Sequence, residues 1–208
     1  MKGEILDVEK SQKLMSKYVD IPEFQVINSL KELKIKAPLV MKIVSPDVIH
    51  KTDVGAVLII HRSEEIESSF NNLILTAKKN KLKLKGILVQ KFIEGQQLII
   101  GLKKDAVFNH VILFGLGGIF TELLDDISIR KCPINLNEAS DMIHELKSKK
   151  LFEGFRNIKL NTDLLKQALV NVSKIPHKHK NIQELDINPY ILNAKEGKAV
   201  DVRIVLNN

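Results

Sequence analysis

The sequence predicts an α/β protein with two sheet-bearing lobes, and three observations indicate this class. Runs of β-branched and aliphatic residues alternate with amphipathic helical segments, and this alternation occurs in two batches along the chain. A chain of 208 residues is long enough to bury a substantial core. The composition, with 44% hydrophobic and 27% charged residues, is that of a globular protein, and the sequence contains no internal repeats.

The elements of the first half follow from periodicity and from capping residues. Ser63 is expected to cap a helix with acidic residues in its first turn and Lys78 and Lys79 in its last turn, which suits the helix dipole. Apolar residues recur in this helix every three or four positions, so one face should pack on a sheet. Before it, the pattern predicts helices at 9–18 and 29–34 and strands at 24–27, 39–44 and 56–60.

The second half continues with strands and helices of similar length. Turn residues separate three predicted strands, and two amphipathic helices follow them. We expect residues 1–208 to form one domain, with lobes at approximately 1–85 and 86–208. The predicted elements are strands at 86–92, 98–102 and 111–114, helices at 138–149 and 163–174, and strands at 182–188 and 199–206.

Charge and cysteine usage argue against several classes of protein. The formal net charge is +7, but only 5% of residues are aromatic and Trp is absent, so base-stacking surfaces for nucleic acid are poorly supplied. Polyanionic small molecules such as nucleotides fit the charge as well. Since no apolar run has the length of a membrane span and the N-terminus has no leader pattern, we expect a cytoplasmic protein. The single cysteine, Cys132, excludes an internal disulfide.

The segment from Met41 to Gly55 combines features that phosphate chemistry needs. Lys42 lies within an apolar strand, where its amine must reach solvent or an anion. A proline-broken loop then presents His50 beside Lys51, and Gly55 gives this loop freedom to move. A lysine can hold a phosphate, and a neutral histidine can accept a phosphoryl group as a nucleophile. The residues alone are equally compatible with a surface lysine on a strand and a hydrogen-bonded loop histidine.

A glycine-rich turn and nearby charged residues add to this pattern. Gly115-Leu116-Gly117-Gly118 follows an apolar strand, and glycines at such a turn let backbone N–H groups approach an anion. A tight structural turn would account for the same residues. Glu122, on the same connection, could orient a metal ion or a lysine. Arg130 could bind a phosphate through its forked donors or take part in a surface salt bridge.

Alternating residues near the C-terminus predict a hairpin with one polar side. Apolar residues alternate with Asp186 and Asn188 in one strand and with Asp201 and Arg203 in the next. If the turn centres at residues 194–195, Asn188 lies opposite Asp201, and Asp186 lies opposite Arg203. The amide and carboxylate oxygens would then converge as ligands for Mg²⁺ that is held mainly by nucleotide phosphates. A solvated hairpin with an Asp–Arg pair is the alternative.

Four blocks of the sequence resemble a known family. They are the 41–55 segment, Gly86-Ile87-Leu88-Val89-Gln90, the run from Phe114 to Glu122, and Glu184-Leu185-Asp186-Ile187-Asn188-Pro189. In this order they resemble the β subunit of ADP-forming acyl-CoA synthetases of the acetyl-CoA type, a branch of the ATP-grasp superfamily. The resemblance implies an ATP-grasp fold, with ATP or ADP and Mg²⁺ bound between two lobes.

The resemblance also assigns roles to individual residues. His50 matches a second phosphohistidine, which relays phosphate from a partner subunit to ADP, and Lys42 matches a lysine that contacts ATP phosphates. Asn188 and Asp201 match the Mg²⁺ ligands, and Asp186 is a second candidate catalytic residue. The remaining candidate nucleotide-binding residues are Lys51, Gly55, Gln90, Gly117, Gly118, Glu122 and Arg130.

Three positions depart from the family pattern. Ala56 stands where a second glycine is usual, Lys91 where glutamate is usual, and Gln97 where an acid usually begins the next strand. The last two lie near the expected positions of the nucleotide base and ribose.

The implied function is that of one subunit of a two-subunit enzyme. The net reaction would be acyl-CoA + ADP + phosphate ⇌ carboxylic acid + CoA + ATP, and a CoA-binding α subunit would complete a heterotetramer. Two alternatives stay open. One is an ATP-grasp ligase that activates a carboxylate directly as an acyl phosphate and does not need His50. The other is a regulatory module that binds nucleotide without turnover. The departures from the family pattern at Lys91 and Gln97 keep this alternative open.

Overall fold

The computed structural model describes residues 3–47, 55–117, 126–154 and 159–207. The chain divides into two units, one made of Met1–Ile21 and Glu94–Asn208 and the other of Pro22–Ile93. In chain order the elements are β1 Glu4–Ile5, α1 Val8–Met15, β2 Phe24–Ile27, β3 Leu39–Val44, β4 Val57–Ile60, α2 Ile66–Lys79, β5 Gly86–Lys91, β6 Gln96–Asp105, β7 Asn109–Leu116, β8 Ile127–Lys131, α3 Leu136–Glu145, α4 Thr162–Ser173, α5 Ile175–Lys178, β9 Ile182–Leu192, β10 Gly197–Ala199 and β11 Val202–Leu206.

The unit of residues 22–93 is an antiparallel sheet with a helix on one face. Within the described residues its four strands have the order β2-β5-β3-β4. Alternate residues of β3 and β5 form a core with Phe70, Leu73 and Ala77 of α2. The apolar stripe predicted for this helix is therefore confirmed.

The other unit is built on a larger antiparallel sheet. Its seven described strands have the order β1-β11-β9-β6-β7-β8, with β10 paired to β9. Helices α3 and α4 pack on one face, where Leu102, Ile112 and Leu185 are among the buried core residues. On β9 and on the segment from β10 to β11, alternating side chains belong to this core. The side chains between them lie on the opposite face of the sheet. We call these residues the polar face: Glu184, Asp186, Asn188, Asp201 and Arg203.

The N-terminal residues run along one edge of this larger sheet. The short strand β1 pairs with the end of β11, and the Ala199 N–H donates to the Asp20 carbonyl at 2.9 Å. Between these two points, α1 packs against β11. This helix begins after Asp7, whose side chain accepts a hydrogen bond from the Lys10 N–H at 2.8 Å. The edge that carries Asp201 is thus covered by a helix.

Among the described helices, α1, α3 and α4 are capped by polar side chains. Asn135 accepts hydrogen bonds from the first turn of α3, and Asn161 accepts one from the Leu164 N–H of α4 at 3.2 Å. These two helices lie within a few residues of the positions predicted from periodicity. Over the part of the chain that the structure describes, no helix combines the length and apolarity that a bilayer crossing requires.

One predicted helix and one predicted cap are wrong. Residues 29–34 contain only a 3-10 turn, because the Gln25 side chain donates to the Glu32 carbonyl at 2.8 Å and accepts from the Lys34 N–H at 2.9 Å. Helix α2 follows another 3-10 turn, Ser63–Glu65, so Ser63 does not cap it.

The boundary between the two units also differs from the predicted lobes at 1–85 and 86–208. Strand β5 belongs to the smaller unit, because it pairs with β2 on one side and with β3 on the other. Residues before 22 belong to the larger unit, because β1 pairs with β11. The smaller unit is therefore an insertion within the larger one.

Candidate functional site

In the smaller unit, Lys42 and Gln90 form a buried polar pair. They lie on the neighbouring strands β3 and β5, on the sheet face opposite α2. The Lys42 Nζ donates to Gln90 Oε1 at 3.3 Å, and the two residues are 5% and 0% exposed. The Gln90 Nε2 has no hydrogen-bond partner among the described residues. Because an unpaired buried donor costs free energy, this amide is a candidate contact for an acceptor oxygen on a ligand.

The expected phosphohistidine segment falls mostly outside the described residues. His50 and Lys51 lie outside the described residues, and the described chain resumes at Gly55. Gly55 has a φ of +66°, a left-handed conformation that favours glycine. Ala56, at the family's second glycine position, is fully buried, and its carbonyl accepts from the Ile43 N–H at 2.9 Å. The methyl group of Ala56 is therefore accommodated by core packing.

In the larger unit, the hairpin has the register that the sequence predicts. Arg203 of β11 lies opposite Asp186 of β9 in the strand register. The Asn188 N–H donates to the Asp201 carbonyl at 3.1 Å. The connecting turn centres on residues 194–195. Asn188 and Asp201 therefore lie opposite each other on the polar face, and the predicted register is confirmed.

The oxygen donors of the polar face suit a metal ion that the protein surrounds only in part. Asn188 is exposed and Asp201 is half-buried, so both can meet a ligand from solvent. The described residues contain no cluster of three or more His, Cys, Asp or Glu side chains that could hold a metal ion alone. Mg²⁺ at such a site would take its remaining ligands from phosphates and water.

Asp186 has a raised pKa on the polar face. The pKa of its carboxyl is raised to about 6, chiefly by burial and then by the nearby carboxylates of Glu184 and Asp201. Arg203 acts in the opposite direction and also pairs with Glu184 at 3.4 Å. Glu184 was not among the predicted site residues, although it continues the same alternation along the strand. The polar face therefore concentrates negative charge, as a cation site requires.

We expect Asp186→Asn to stabilise the metal-free protein near neutral pH. The pKa of Asp186 is higher in the folded protein than in the unfolded chain. Its contribution to the free energy of unfolding is therefore fully present only below the unfolded pKa of about 3.9. It is lost as the pH rises through about 6. At about pH 7.5 in EDTA, the substitution should raise the free energy of unfolding by about 1–2 kcal/mol. This value is smaller than the pKa difference alone would give, because Asp186 is partly exposed and solvent screens its charge.

Urea unfolding in EDTA measures this difference. The two proteins should have nearly equal stability at about pH 4, where the Asp186 carboxyl is protonated in the folded state. A variant that is less stable than the wild type near neutral pH would contradict the prediction.

Gly117 is explained by a close approach of two backbone segments. A Cβ atom at this position would lie 3.0 Å from backbone atoms of Gln97 and Leu98. The Gly117 N–H also donates to the Gln97 carbonyl at 3.0 Å. A tight structural turn therefore accounts for a glycine at position 117, and no ligand is needed to explain it. Gly118 and Glu122 lie outside the described residues.

Arg130 lies on the helix-covered face of the larger sheet, away from the polar face. It pairs with Ile112, whose side chain is buried in the core beneath the helices. Its guanidinium forms an ion pair with Glu145 of α3, and Glu145 also accepts from the Ser128 Oγ at 2.8 Å. Of the two predicted roles of Arg130, the structure shows the salt bridge. It does not bring this residue together with Asn188 and Asp201.

Comparison with known proteins identifies a family. Residues 2–206 match the family model described as the ATP-grasp domain. The β subunit of acetate–CoA ligase (ADP-forming) I from Pyrococcus furiosus is 36% identical over 198 residues, which are 90% of this chain and 85% of that protein. Acetate–CoA ligase (ADP-forming) I from Archaeoglobus fulgidus is 32% identical over 98% of this chain, which spans only 31% of that longer protein.

Solved structures have the same architecture. Acetyl-coenzyme A synthetase 1 from Candidatus Korarchaeum cryptofilum, in complex with coenzyme A and Ca-AMPCP, matches with a TM-score of 0.93 and 36% identity, covering 98% of this chain and 94% of that chain. A second structure of that enzyme holds coenzyme A and Mg-AMPPCP, with a phosphohistidine segment pointing towards the nucleotide binding site. It matches with a TM-score of 0.83 and 36% identity, covering 97% and 92% of the two chains. This chain therefore belongs to the ATP-grasp domain family, in the branch that contains the β subunits of ADP-forming acetate–CoA ligases.

Proposed function

We propose that this chain is the nucleotide-binding β subunit of an ADP-forming acyl-CoA synthetase. The net reaction is acyl-CoA + ADP + phosphate ⇌ carboxylic acid + CoA + ATP. The observation that carries the proposal is the placement of Asn188 opposite Asp201, because two oxygen donors so placed suit a metal ion bound to nucleotide phosphates. The match to the Pyrococcus furiosus β subunit over 85% of its length supports the same assignment.

Each unit contains candidate nucleotide-binding residues. Lys42 is assigned to the phosphates, where its ammonium group offsets charge on the transferred group. Gln90 orients that amine through its Oε1, and its Nε2 is available to an oxygen of the nucleotide. Mg²⁺ held by Asn188 and Asp201 would withdraw charge from the phosphates. On the family pattern we also assign Lys51, Gly55, Gly117, Gly118 and Glu122 to nucleotide binding, with Asp186 as a candidate catalytic residue.

His50 is assigned the relay of phosphate. A neutral imidazole nitrogen of His50 attacks the phosphorus of a phosphohistidine on the partner subunit, so that a new N–P bond forms as the first one breaks. A β-phosphate oxygen of ADP then attacks the same phosphorus, which releases His50 and forms ATP. The phosphohistidine segment of the Korarchaeum enzyme, which points towards its nucleotide binding site, supports this assignment.

A CoA-binding α subunit is the proposed partner, in a heterotetramer. The Pyrococcus furiosus relative is itself a β subunit, and the Korarchaeum enzyme binds coenzyme A. The Archaeoglobus fulgidus relative carries more than this domain, because the present chain spans 31% of it. In our proposal the α subunit holds CoA, forms the acyl phosphate and carries the first phosphohistidine.

Reconstitution tests the proposed function. The purified chain should bind Mg²⁺–ADP in a calorimetric titration but form no ATP from acyl-CoA, ADP and phosphate. Addition of a CoA-binding α subunit from a related synthetase should restore ATP formation with members of an acyl-CoA panel. ATP formation by the chain alone would overturn the division of labour. Nucleotide binding without turnover in every α-subunit mixture would favour the regulatory module.

A further inference from the structure

We propose that Gly101 is a specificity-determining residue, whose missing side chain leaves room for a phosphate of the metal-bound nucleotide. The inference rests on the function proposed above. Gly101 lies within β6 and is paired with Asp186 of β9 on one side and with Leu113 of β7 on the other. Its neighbours in sequence, Ile100 and Leu102, are buried in the core beneath the helices. Position 101 therefore points to the same side of the sheet as the polar face.

The fold does not require a glycine at this position. The φ of Gly101 is not in the left-handed region. The register shift between β6 and β9 lies between Leu98 and Ile100, so Gly101 is not a bulge residue. Among the described atoms, the nearest contacts of an added Cβ would be Leu113 Cβ at 3.8 Å and the Leu185 carbonyl oxygen at 3.9 Å. These are ordinary van der Waals distances, so an alanine would fit.

A glycine on the neighbouring strand shows the contrast. A Cβ atom at Gly115 of β7 would lie 2.6 Å from the Asp126 carbonyl oxygen, so the packing of β8 requires that glycine. A glycine inside a strand weakens the strand, and it often marks the close approach of another backbone segment or of a ligand. Within the described part of the chain, no backbone atom comes that close to Gly101. A ligand is the remaining reason for a glycine at this position.

The missing side chain makes a notch in the surface of the sheet. We define the notch as the space over Gly101 that is bounded by Ile99 and Lys103 along β6 and by Asp186 and Leu113 on the neighbouring strands. Side chains on one face are about 7 Å apart along a strand and about 5 Å apart across strands. Gly101 is itself partly exposed, so a ligand can reach the notch from solvent.

The notch lies beside the proposed metal ligands. Asn188 follows Asp186 by two residues on β9, so the two side chains share one face at a spacing of about 7 Å. Mg²⁺ held by Asn188 and Asp201 would take its remaining ligands from phosphates and water. A phosphate that reaches from such an ion towards β6 would lie over Gly101. A larger side chain at position 101 would occupy that volume.

Lys103 supplies the charge that favours a phosphate over an uncharged group in the notch. It is exposed and lies two residues from Gly101 on the same face. Glu184 lies opposite Lys103 in the register, but its carboxylate forms an ion pair with Arg203 at 3.4 Å. The Lys103 amine can therefore donate a charge-assisted hydrogen bond to a phosphate oxygen.

A size series at position 101 tests the steric part of the inference. The full chain is titrated calorimetrically with ADP in MgCl₂. Gly101→Val should weaken binding about 10-fold or more, and Gly101→Ala should weaken it less, because each added methyl group fills part of the notch. The Tm of Gly101→Ala should equal or exceed that of the wild type, since alanine fits the strand and reduces the freedom of the unfolded chain.

Ile129→Phe is the matched control for added volume. Ile129 pairs with Leu113, so it lies on the same face as Gly101 and two strands away, at about 10 Å. It is 48% exposed, which leaves space for a larger side chain. This variant should keep the wild-type affinity for ADP in MgCl₂.

Lys103→Gln tests whether the occupant of the notch is charged. The glutamine keeps a polar side chain and removes the positive charge, and we expect ADP binding in MgCl₂ to weaken about 10-fold. Lys131→Gln is the matched control, because it makes the same change in net charge. Lys131 is exposed in the same row of the sheet, with Val111 between it and Lys103. This control should keep the wild-type affinity.

The outcomes separate this inference from the proposed function. A graded loss at position 101 with unchanged Tm, together with a loss in Lys103→Gln, supports the inference. Unchanged affinity in Gly101→Val, or a large fall in Tm for both Gly101 variants, overturns the inference and leaves the proposed function standing. A loss in Gly101→Val without one in Lys103→Gln overturns the phosphate assignment. A wild-type chain that does not bind ADP in MgCl₂ overturns the proposed function as well.

Discussion

His50→Ala should abolish ATP formation by the reconstituted synthetase while ADP still binds. The residue is proposed to carry phosphate and not to anchor the nucleotide, so the chemistry stops and the affinity remains. Incubation of the wild-type chain with labelled ATP and Mg²⁺ should give a label that is labile in acid and stable in base, as expected for phosphate on an imidazole nitrogen. The variant should give no such label.

Two other histidines provide controls for this experiment. His177 is exposed, and the His179 Nε2 lies 3.0 Å from the Tyr18 hydroxyl. The variants His177→Ala and His179→Ala should keep the label and the turnover. Full acyl-CoA synthetase turnover by His50→Ala would refute the relay. Direct activation of a carboxylate in an ATP-grasp site would then be the better account.

Asp201→Ala and Asn188→Ala should each weaken Mg²⁺-dependent nucleotide binding by about 10–100-fold or more, because each removes a proposed ligand of the metal ion. Turnover of the reconstituted enzyme should fall by at least as much. The fold should remain, since Asn188 is exposed and Asp201 is half-buried on the polar face. Calorimetric titration in MgCl₂ and in EDTA measures the binding, and circular dichroism measures the fold.

Arg130→Ala is the matched control on the other face of the same sheet. It removes the ion pair with Glu145, in which the two side chains are 28% and 49% exposed. A loss of about 0–1 kcal/mol in stability is expected for such a pair. Mg²⁺-dependent nucleotide binding should be unchanged. A large loss of affinity would contradict the placement of Arg130 and return it to the phosphate site.

The hairpin of the polar face was predictable because its information is local. Side chains alternate with a period of two, and the position of the turn then sets every cross-strand pair. Asp186 opposite Arg203 and Asn188 opposite Asp201 follow from that register alone. The chemistry of these residues is a separate question, and the resemblance to the family supplied it.

The face on which Arg130 lies was not predictable, because the hydrophobic pattern of β8 is inverted. Ile127 and Ile129 are 40% and 48% exposed, whereas Ser128 is 4% exposed. Ser128 and Arg130 turn towards α3, where Glu145 accepts a hydrogen bond from each of them. A pattern that places apolar residues inside therefore gives the wrong face for this strand.

The limits of the two units depended on pairing between distant parts of the sequence. Strand β5 follows a helix and looks like the start of a new lobe, but it inserts between β2 and β3. The two-residue strand β1 has too little periodicity to be recognised, yet its pairing with β11 assigns the N-terminus to the larger unit. Neither partner can be deduced from the composition of the strand itself.

The discontinuous larger unit imposes an order on folding during synthesis. The smaller unit is complete when about 90 residues have been made, because its described strands end at Lys91. The larger unit is complete only when the last strand has been made, since β1 pairs with β11 and α1 packs against it. Until then, the apolar residues of α1 and the first hairpin of the larger sheet have no complete core to join. A chain that ends before residue 202 should therefore leave apolar residues on both sides of the insertion without their complete core.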